Sequence, residues 1–315
     1  MRNNILLTFS DFNQFYEIGI YKEKNNRELI PVEDIDFINL KVKELARNLC
    51  NELKANKIKI YNHGSESGLL NHIGIRNNEV NNFLLEFYIK YLDQQFLNFL
   101  LNFPWKENNV TSVSYQVSKN KDFRSPFISI YGDFLYYFIN GYRFAIRAGC
   151  FFQTNNKVLV NMYTDIKNII PKNKNYILLD LYCGIGIVSI LLSRFLKKTI
   201  GIEVNSNSIE MARYNSKVNN CDNTEFICSE VENALDKINY DNCVVFINPP
   251  RRGLYNKVID KIKSLKNVKQ ILYLSCCKKT LFRDLNYFNC SYLHIATYDM
   301  FPGTEHKEFL VKIIL

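Results

Sequence analysis

No C-x-x-C pair occurs anywhere in these 315 residues, and the four histidines (His63, His72, His294, His306) lie far apart. Zinc and iron–sulfur sites need clustered thiolate and imidazole donors, so no metal site is expected. No apolar run approaches the roughly 20 residues of a membrane span. The opening "MRNNILLTFSDF" has no basic segment followed by a long apolar one, so neither a membrane protein nor a secreted one is expected. The expected location is the cytoplasm, where the nine cysteines would be reduced thiols and not a disulfide frame. Internal repeats and low-complexity linkers are also missing, which excludes solenoid and disordered architectures.

What is present is a globular composition with a basic surplus. Hydrophobic residues make up 47% of the chain, enough for two cores. Forty Lys and Arg against thirty-one Asp and Glu give a formal charge of +9, and 14% of the residues are aromatic. Cationic side chains meet phosphates and aromatic faces stack on bases, so this balance suits a nucleic acid. A solvated basic surface over ordinary aromatic packing would have the same composition.

The pattern along the chain changes part-way. From Ile38, the residues Val42, Leu45, Leu49 and Leu53 recur at helical spacing. Strand-like runs surround them: "FYEIGIYK", "LLNHIGIR", "NFLLEFYIKYL" and "NVTSVSYQVS". Asn140-Gly141 marks a hairpin turn between two apolar strands. Beyond Asn155 a helical stretch, "KVLVNMYTDIKNII", stops at Pro171, and apolar runs then alternate with amphipathic ones to the end. Such alternation predicts a mostly parallel sheet with helices on both faces and a ligand at the C-terminal ends of its strands. The expected organisation is an α+β domain over residues 1–137 and an α/β domain over residues 138–315.

The first strand of the α/β part, "ILLDLYCGIG", carries Asp180 and then Gly184 and Gly186, a turn that lets backbone approach a ligand beneath a helix N-terminus. A dinucleotide fingerprint would have a third glycine where Ser189 stands, which weakens a nicotinamide reading. Glu203, closing "TIGIEVN", is placed to accept from both hydroxyls of a ribose. Together these features resemble the S-adenosylmethionine site of Rossmann-like methyltransferases. Glu230 in "ICSEVENAL" reads equally well as an adenine contact or a solvated helix start.

After the fourth strand comes "INPPRRGL". Amino-group methyltransferases show an aromatic after Asn-Pro-Pro, and cytosine-5 methyltransferases a cysteine; here Arg251 follows. The nucleophile is therefore sought in "YLSCCKKTLFRDL", where Ser275, Cys276 and Cys277 end the fifth strand. Methylating C5 of uracil needs a thiolate that adds to C6 and a base that afterwards removes the C5 proton. Lys278, Lys279, Arg251 and Arg252 would favour the thiolate, and Glu305 and Glu308 are candidate bases.

The stretches "FFQTN", "LDLYCGIG", "GIEVN", "NPPRRGL", "YLSCCKKTLFRDL" and "DMFPGTEHKEFL" resemble, in order and spacing, the RNA uracil-5 methyltransferase family. The resemblance implies a class I methyltransferase domain with a mostly parallel seven-stranded sheet, preceded by an α+β domain that contacts RNA. It implies Cys276 as nucleophile, Glu308 as proton acceptor, and cofactor contacts from Gln153, Tyr182, Glu203 and Asn248. Cys277 stands where the family usually has Asn, and Asn248 where many members have Asp. The implied reaction is S-adenosylmethionine-dependent 5-methyluridine formation in structured RNA. Its N-P-P-R-R-G stretch leans toward 23S ribosomal RNA, with the T-loop of transfer RNA or a non-catalytic RNA-binding module as alternatives. Phe152 and Arg251 are candidates for holding a splayed loop. Many relatives add an N-terminal RNA-binding barrel and four cluster cysteines; without these, a minimal, cluster-free monomer is expected.

Overall fold

The computed structural model describes residues 4–12, 15–23, 26–62, 64–118, 125–153, 155–238, 240–300 and 307–314. The chain divides into two compact units: Met1–Tyr136 with Ile146–Gly149 and Thr154–Asn156, and Tyr137–Ala145 with Cys150–Gln153 and Lys157–Leu315.

The first unit is built on a seven-stranded sheet. Its strands are β1 (Asn4–Phe12), β2 (Phe15–Glu23), β3 (Asn26–Pro31), β4 (Leu70–Asn77), β5 (Phe83–Ile89), β6 (Val110–Val117) and β7 (Ile128–Tyr131), in the order β3-β2-β1-β4-β5-β6-β7. Neighbours are antiparallel except β5 and β6, which run parallel because the helix α2 (Gln94–Asn102) intervenes. Helix α1 (Leu40–Ala55) buries the apolar stripe read from the sequence, Val42, Leu45, Leu49 and Leu53. Its start is fixed by Asn39, whose side chain accepts from the Val42 N–H at 2.8 Å. The sequence reading missed α2, whose "FLNFLL" core has a strand-like look; its Phe96 and Phe99 pack with Phe87 and with Trp105, the one tryptophan of the chain.

A two-stranded hairpin, β8 (Leu135–Ile139) and β9 (Tyr142–Ile146), turns at Asn140 and Gly141, with φ of 51° and 84°. Both angles are positive, as a type I′ turn demands and as Asn-Gly tolerates.

The second unit holds the other seven-stranded sheet. After α3 (Asn156–Ile169) come β10 (Ile177–Leu181), α4 (Ile187–Ser193), β11 (Lys198–Glu203), α5 (Ser206–Val218), β12 (Thr224–Cys228) and α6 (Val231–Leu235). There follow β13 (Cys243–Ile247), α7 (Asn256–Ser264), β14 (Val268–Ser275), α8 (Lys278–Phe288), β15 (Ser291–Tyr298) and β16 (Glu308–Ile314). The strand order is β12-β11-β10-β13-β14-β16-β15. The first five strands are mutually parallel, as expected from strands separated by helices. β16 is antiparallel to both neighbours and inserts between β14 and β15. Strands β10 and β13 are buried at every position, which explains their unbroken apolar runs. Among the described residues no helix is long and apolar enough to cross a membrane.

Candidate active site

Parallel register brings the candidate groups to one end of the second sheet. Leu181 pairs with Ile202 on one side and Ile247 on the other, and Ile247 with Tyr273, so the chain leaves β10, β11, β13 and β14 at neighbouring points. At the exit of β10, Tyr182, Gly184 and Gly186 all have positive φ, at 63°, 53° and 82°. A Cβ at Gly186 would lie 2.8 Å from the Phe226 ring, so packing excludes a side chain there. At Gly184 the same atom would meet nothing within 4 Å, and the turn therefore opens onto free space that a ligand can approach.

Glu203 ends β11 beside that turn. Its Oε2 accepts from the Gly184 N–H at 3.3 Å and its Oε1 from the Asn205 N–H at 2.9 Å. A carboxylate has about four lone-pair directions, so two remain for ribose hydroxyls. Asn248 leaves β13 with its N–H bound to the Leu181 carbonyl at 3.2 Å and its side chain half-buried at the same edge. Tyr182 packs half-buried against the core of the unit. An open glycine turn flanked by this carboxylate and amide fits the sugar and amino-acid ends of S-adenosylmethionine. Glu230 stands exposed as the N-cap of α6.

The acid of strand one has a different occupation. Asp180 is 1% exposed, and its Oδ2 accepts from the Ser189 N–H and hydroxyl at 3.0 and 2.7 Å. Burial pushes its carboxyl up to about 7, against the pull of those two hydrogen bonds. Ser189, which replaces the third glycine of a dinucleotide site, thus locks the helix after the turn onto the strand before it.

The antiparallel pairing of β14 and β16 assembles the second half of the site. Ser275 pairs with Phe309, so Cys276, one step on, comes alongside Glu308. Glu308 is only 3% exposed, and the Gln153 side-chain amide donates to its carboxylate. One oxygen of each partner, Glu308 Oε2 and Gln153 Oε1, is buried with no hydrogen bond. Burial pushes the Glu308 carboxyl up to about 7, while Gln153 and the Arg251 charge pull it down. Burial also raises the half-buried Cys276 thiol; the Glu308 charge adds to this and Arg251 opposes it. Cys277, the N-cap of α8, goes the other way: hydrogen bonds from the Thr280 hydroxyl and N–H and from the Lys279 N–H lower it, with help from Arg251.

Of the four cations expected to favour a thiolate, Arg251 is the one whose charge bears on Cys276. The Arg252 guanidinium lies 4.7 Å from the Tyr255 ring centroid, and the Lys278 ammonium 5.9 Å from that of Phe282. Lys307 pairs with Asp299 at 2.6 Å and not with Glu308. Glu305 and His306 lie outside the described residues. Gln153, from which a cofactor contact is expected, bonds to Glu308. Phe152, a candidate for holding a splayed loop, is not free to do so: its ring is buried and stacked 4.2 Å from Tyr137, whereas the neighbouring Phe151 is 68% exposed.

Two further residues escaped the sequence reading. Asp284 on α8 is 1% exposed and accepts from the Tyr273 hydroxyl at 2.7 Å and the Leu254 N–H at 2.8 Å. Arg283 grips the same carboxylate at 2.6 Å and donates to the carbonyls of Arg252 and Leu254. With the Thr280 hydroxyl on the Arg251 carbonyl at 3.1 Å, helix α8 fastens the loop that carries Arg251. The signal was present in the sequence: Asp284 shares the buried stripe of Leu281, Leu285 and Phe288, where a carboxylate needs partners.

A family model described as tRNA (Uracil-5-)-methyltransferase matches residues 1–314. The chain belongs to this family. It is an S-adenosylmethionine-dependent RNA methyltransferase. An uncharacterized RNA methyltransferase of Prochlorococcus marinus is 30% identical, the alignment covering 97% of this chain and 76% of that protein. One from Clostridium tetani is 25% identical over 99% of this chain and 71% of its own length. In fold, the chain is similar to the tRNA (uracil-54, C5)-methyltransferase of Pyrococcus abyssi, crystallised with S-adenosyl-L-homocysteine. That likeness has a TM-score of 0.81 at 24% identity, over 99% of this chain and 76% of that one. The class I fold with its seven-stranded, mostly parallel sheet agrees with the sequence expectation. Among the described residues no group of His, Cys, Asp and Glu could hold a metal ion.

Proposed function

We propose that the protein forms 5-methyluridine in a structured RNA, with Cys276 as nucleophile and Glu308 as proton acceptor. The observation that carries this reading is the β14–β16 register, which sets a half-buried thiol beside a buried carboxylate under one arginine. Gln153, Tyr182, Glu203 and Asn248 are the proposed cofactor contacts. Bound there, S-adenosylmethionine supplies an electrophilic methyl group on a sulfonium.

In the proposed sequence the Cys276 thiolate adds to C6 of the uracil, forming an S–C bond and moving the ring electrons toward C5, which takes the methyl group. Glu308 then accepts the C5 proton, and the electrons of that C–H bond restore the C5–C6 double bond as the thiolate leaves. Glu308, held near neutrality by burial, is poised for that transfer at cellular pH. Arg251 offsets the cost of a sulfur anion beside a carboxylate. The target base must leave its stack, and exposed Phe151 and Arg251 are suited to hold it.

The N-P-P-R-R-G stretch supports 23S ribosomal RNA as substrate; the description of the family supports transfer RNA as the second reading. Comparing methylated uridines across all transcripts with and without the gene decides between them. RNA carrying 5-fluorouridine should trap the enzyme as a covalent adduct that disappears in Cys276→Ala. Glu308→Gln should still transfer methyl but accumulate the adduct on ordinary RNA. Absence of any adduct from a wild-type protein that binds RNA would favour a non-catalytic binding module.

A further inference from the structure

The second unit has a groove of about 570 Å³ at the N-terminal ends of its parallel strands, the edge opposite the glycine turn. Lys174 precedes β10, Lys197 precedes β11 and Asn223 precedes β12, and all three line it, with Tyr142, Arg194 and Asp222. A five-residue strand such as β10 separates this edge from the cofactor turn by about 17 Å. The groove is therefore distinct from the site described above.

Its charge is lopsided. Lys174, Arg194 and Lys197 are exposed, and Asp222 is the one acid of the lining. No carboxylate pairs with any of the three among the described residues, while the neighbouring Lys198 is already held by Glu225 at 2.5 Å. Beside the groove, Lys167 and Lys172 both lean on the ring of Phe195, at 5.4 and 5.5 Å from its centroid. Cations that outnumber the acid beside them and pair with none repel one another, and an anionic ligand removes that repulsion.

The cations are also held in place. The Asn223 side-chain amide donates to the carbonyls of Ser193, Leu196 and Lys197, pinning the turn that carries Arg194 and Lys197. The Lys174 ammonium donates to the Leu196 carbonyl at 3.3 Å. Arg194 lies over the Tyr142 ring and hydrogen-bonds its hydroxyl. Asn219 clasps the backbone of Arg143 through both its amide oxygen and its nitrogen, fixing the hairpin strand that brings Tyr142. A solvated basic face has no need of such bracing.

We infer that this groove binds the phosphodiester backbone of the RNA at a point remote from the methylated base. The inference rests on the RNA being the substrate, not on the roles given to Cys276 and Glu308. Phosphate contacts position an RNA without reading its sequence, so the groove would add affinity for a long transcript and none for a short one.

The test uses the full chain and the double variant Lys174→Gln/Lys197→Gln. Binding to a folded RNA and to a short hairpin bearing the same target uridine is measured between about 50 and 200 mM salt. Unchanged S-adenosylhomocysteine affinity and melting temperature would verify the fold. The variant should bind the folded RNA about tenfold or more weakly and lower its salt slope by about 2, since each lysine–phosphate contact contributes about 1. Hairpin binding and hairpin methylation should stay at wild-type levels. Equal slopes and affinities for the folded RNA would overturn the inference. So would tight binding of inorganic tripolyphosphate to the wild type with no loss of RNA affinity in the variant, which would make the groove a small-anion site. If the wild type methylates neither RNA, the catalytic reading fails, while the binding comparison still judges the groove.

Discussion

Replacing Glu308 with glutamine should make the protein more stable at alkaline pH. The carboxyl is 3% exposed, and burial raises it from 4.5 to about 7. The folded state thus holds this proton to higher pH than the unfolded chain does, so between pH 4.5 and 7 folding takes up protons and stability falls as pH rises. Linkage over that interval gives a penalty of about 1 kcal/mol at pH 5 and about 3 kcal/mol at pH 8.5. Glutamine has nearly the same shape, carries no charge, and its carbonyl can still accept from the Gln153 amide. Glu308→Gln should therefore gain about 3 kcal/mol at pH 8.5, or about 6–12 °C in the melting of a unit of this size, and much less at pH 5. Thermal melts of both proteins at the two pH values provide the measurement. An equal gain at both, or a loss at pH 8.5, would refute the argument that an ionised carboxylate is being buried at a cost. Together with adduct accumulation, a gain would identify Glu308 as a group kept for chemistry at the expense of stability.

Asp284→Ala should cost about 3–5 kcal/mol in denaturant unfolding, because the Tyr273 hydroxyl, the Leu254 N–H and the Arg283 guanidinium lose a buried charged acceptor together. Asp284→Asn, which keeps one carbonyl acceptor, should fall between the two. A loss below about 1 kcal/mol for alanine would show that the clamp on the Arg251 loop is dispensable. Iodoacetamide near neutral pH should label Cys277 before Cys276, because hydrogen bonds at the start of α8 lower the first thiol while burial and Glu308 raise the second. Fragment-ion mass spectrometry of the doubly cysteinyl peptide distinguishes them, and earlier labelling of Cys276 would contradict the electrostatics.

Much of the second unit was legible in the residues because its signals are local. Unbroken apolar runs located β10, β13 and β14, a glycine turn and a strand-ending acid located Gly184 and Glu203, and Asn140-Gly141 located a hairpin. Helix α2 was missed because "FLNFLL" serves a helix or a strand, and only the aromatic cluster of Phe87 and Trp105 decides which. Phe151 and Phe152 could not be told apart from sequence, since adjacent aromatics differ only in which one the core takes.

The sequence by itself determined the alternation of strands and helices in the second unit, the chemistry on offer and the residues that could hold a nucleoside, since each depends on neighbours along the chain. The resemblance singles out Cys276 and Glu308, but what brings that thiol beside that carboxylate was decided by the tertiary structure. Cys276 and Glu308 are separated by a helix and a strand, and they meet because β16 enters antiparallel between β14 and β15 in one register. A slip of one residue would turn Glu308 to the other face of the sheet. The directions in which burial moves Glu308 and Cys276 follow from that same packing, and no stretch of sequence specifies it.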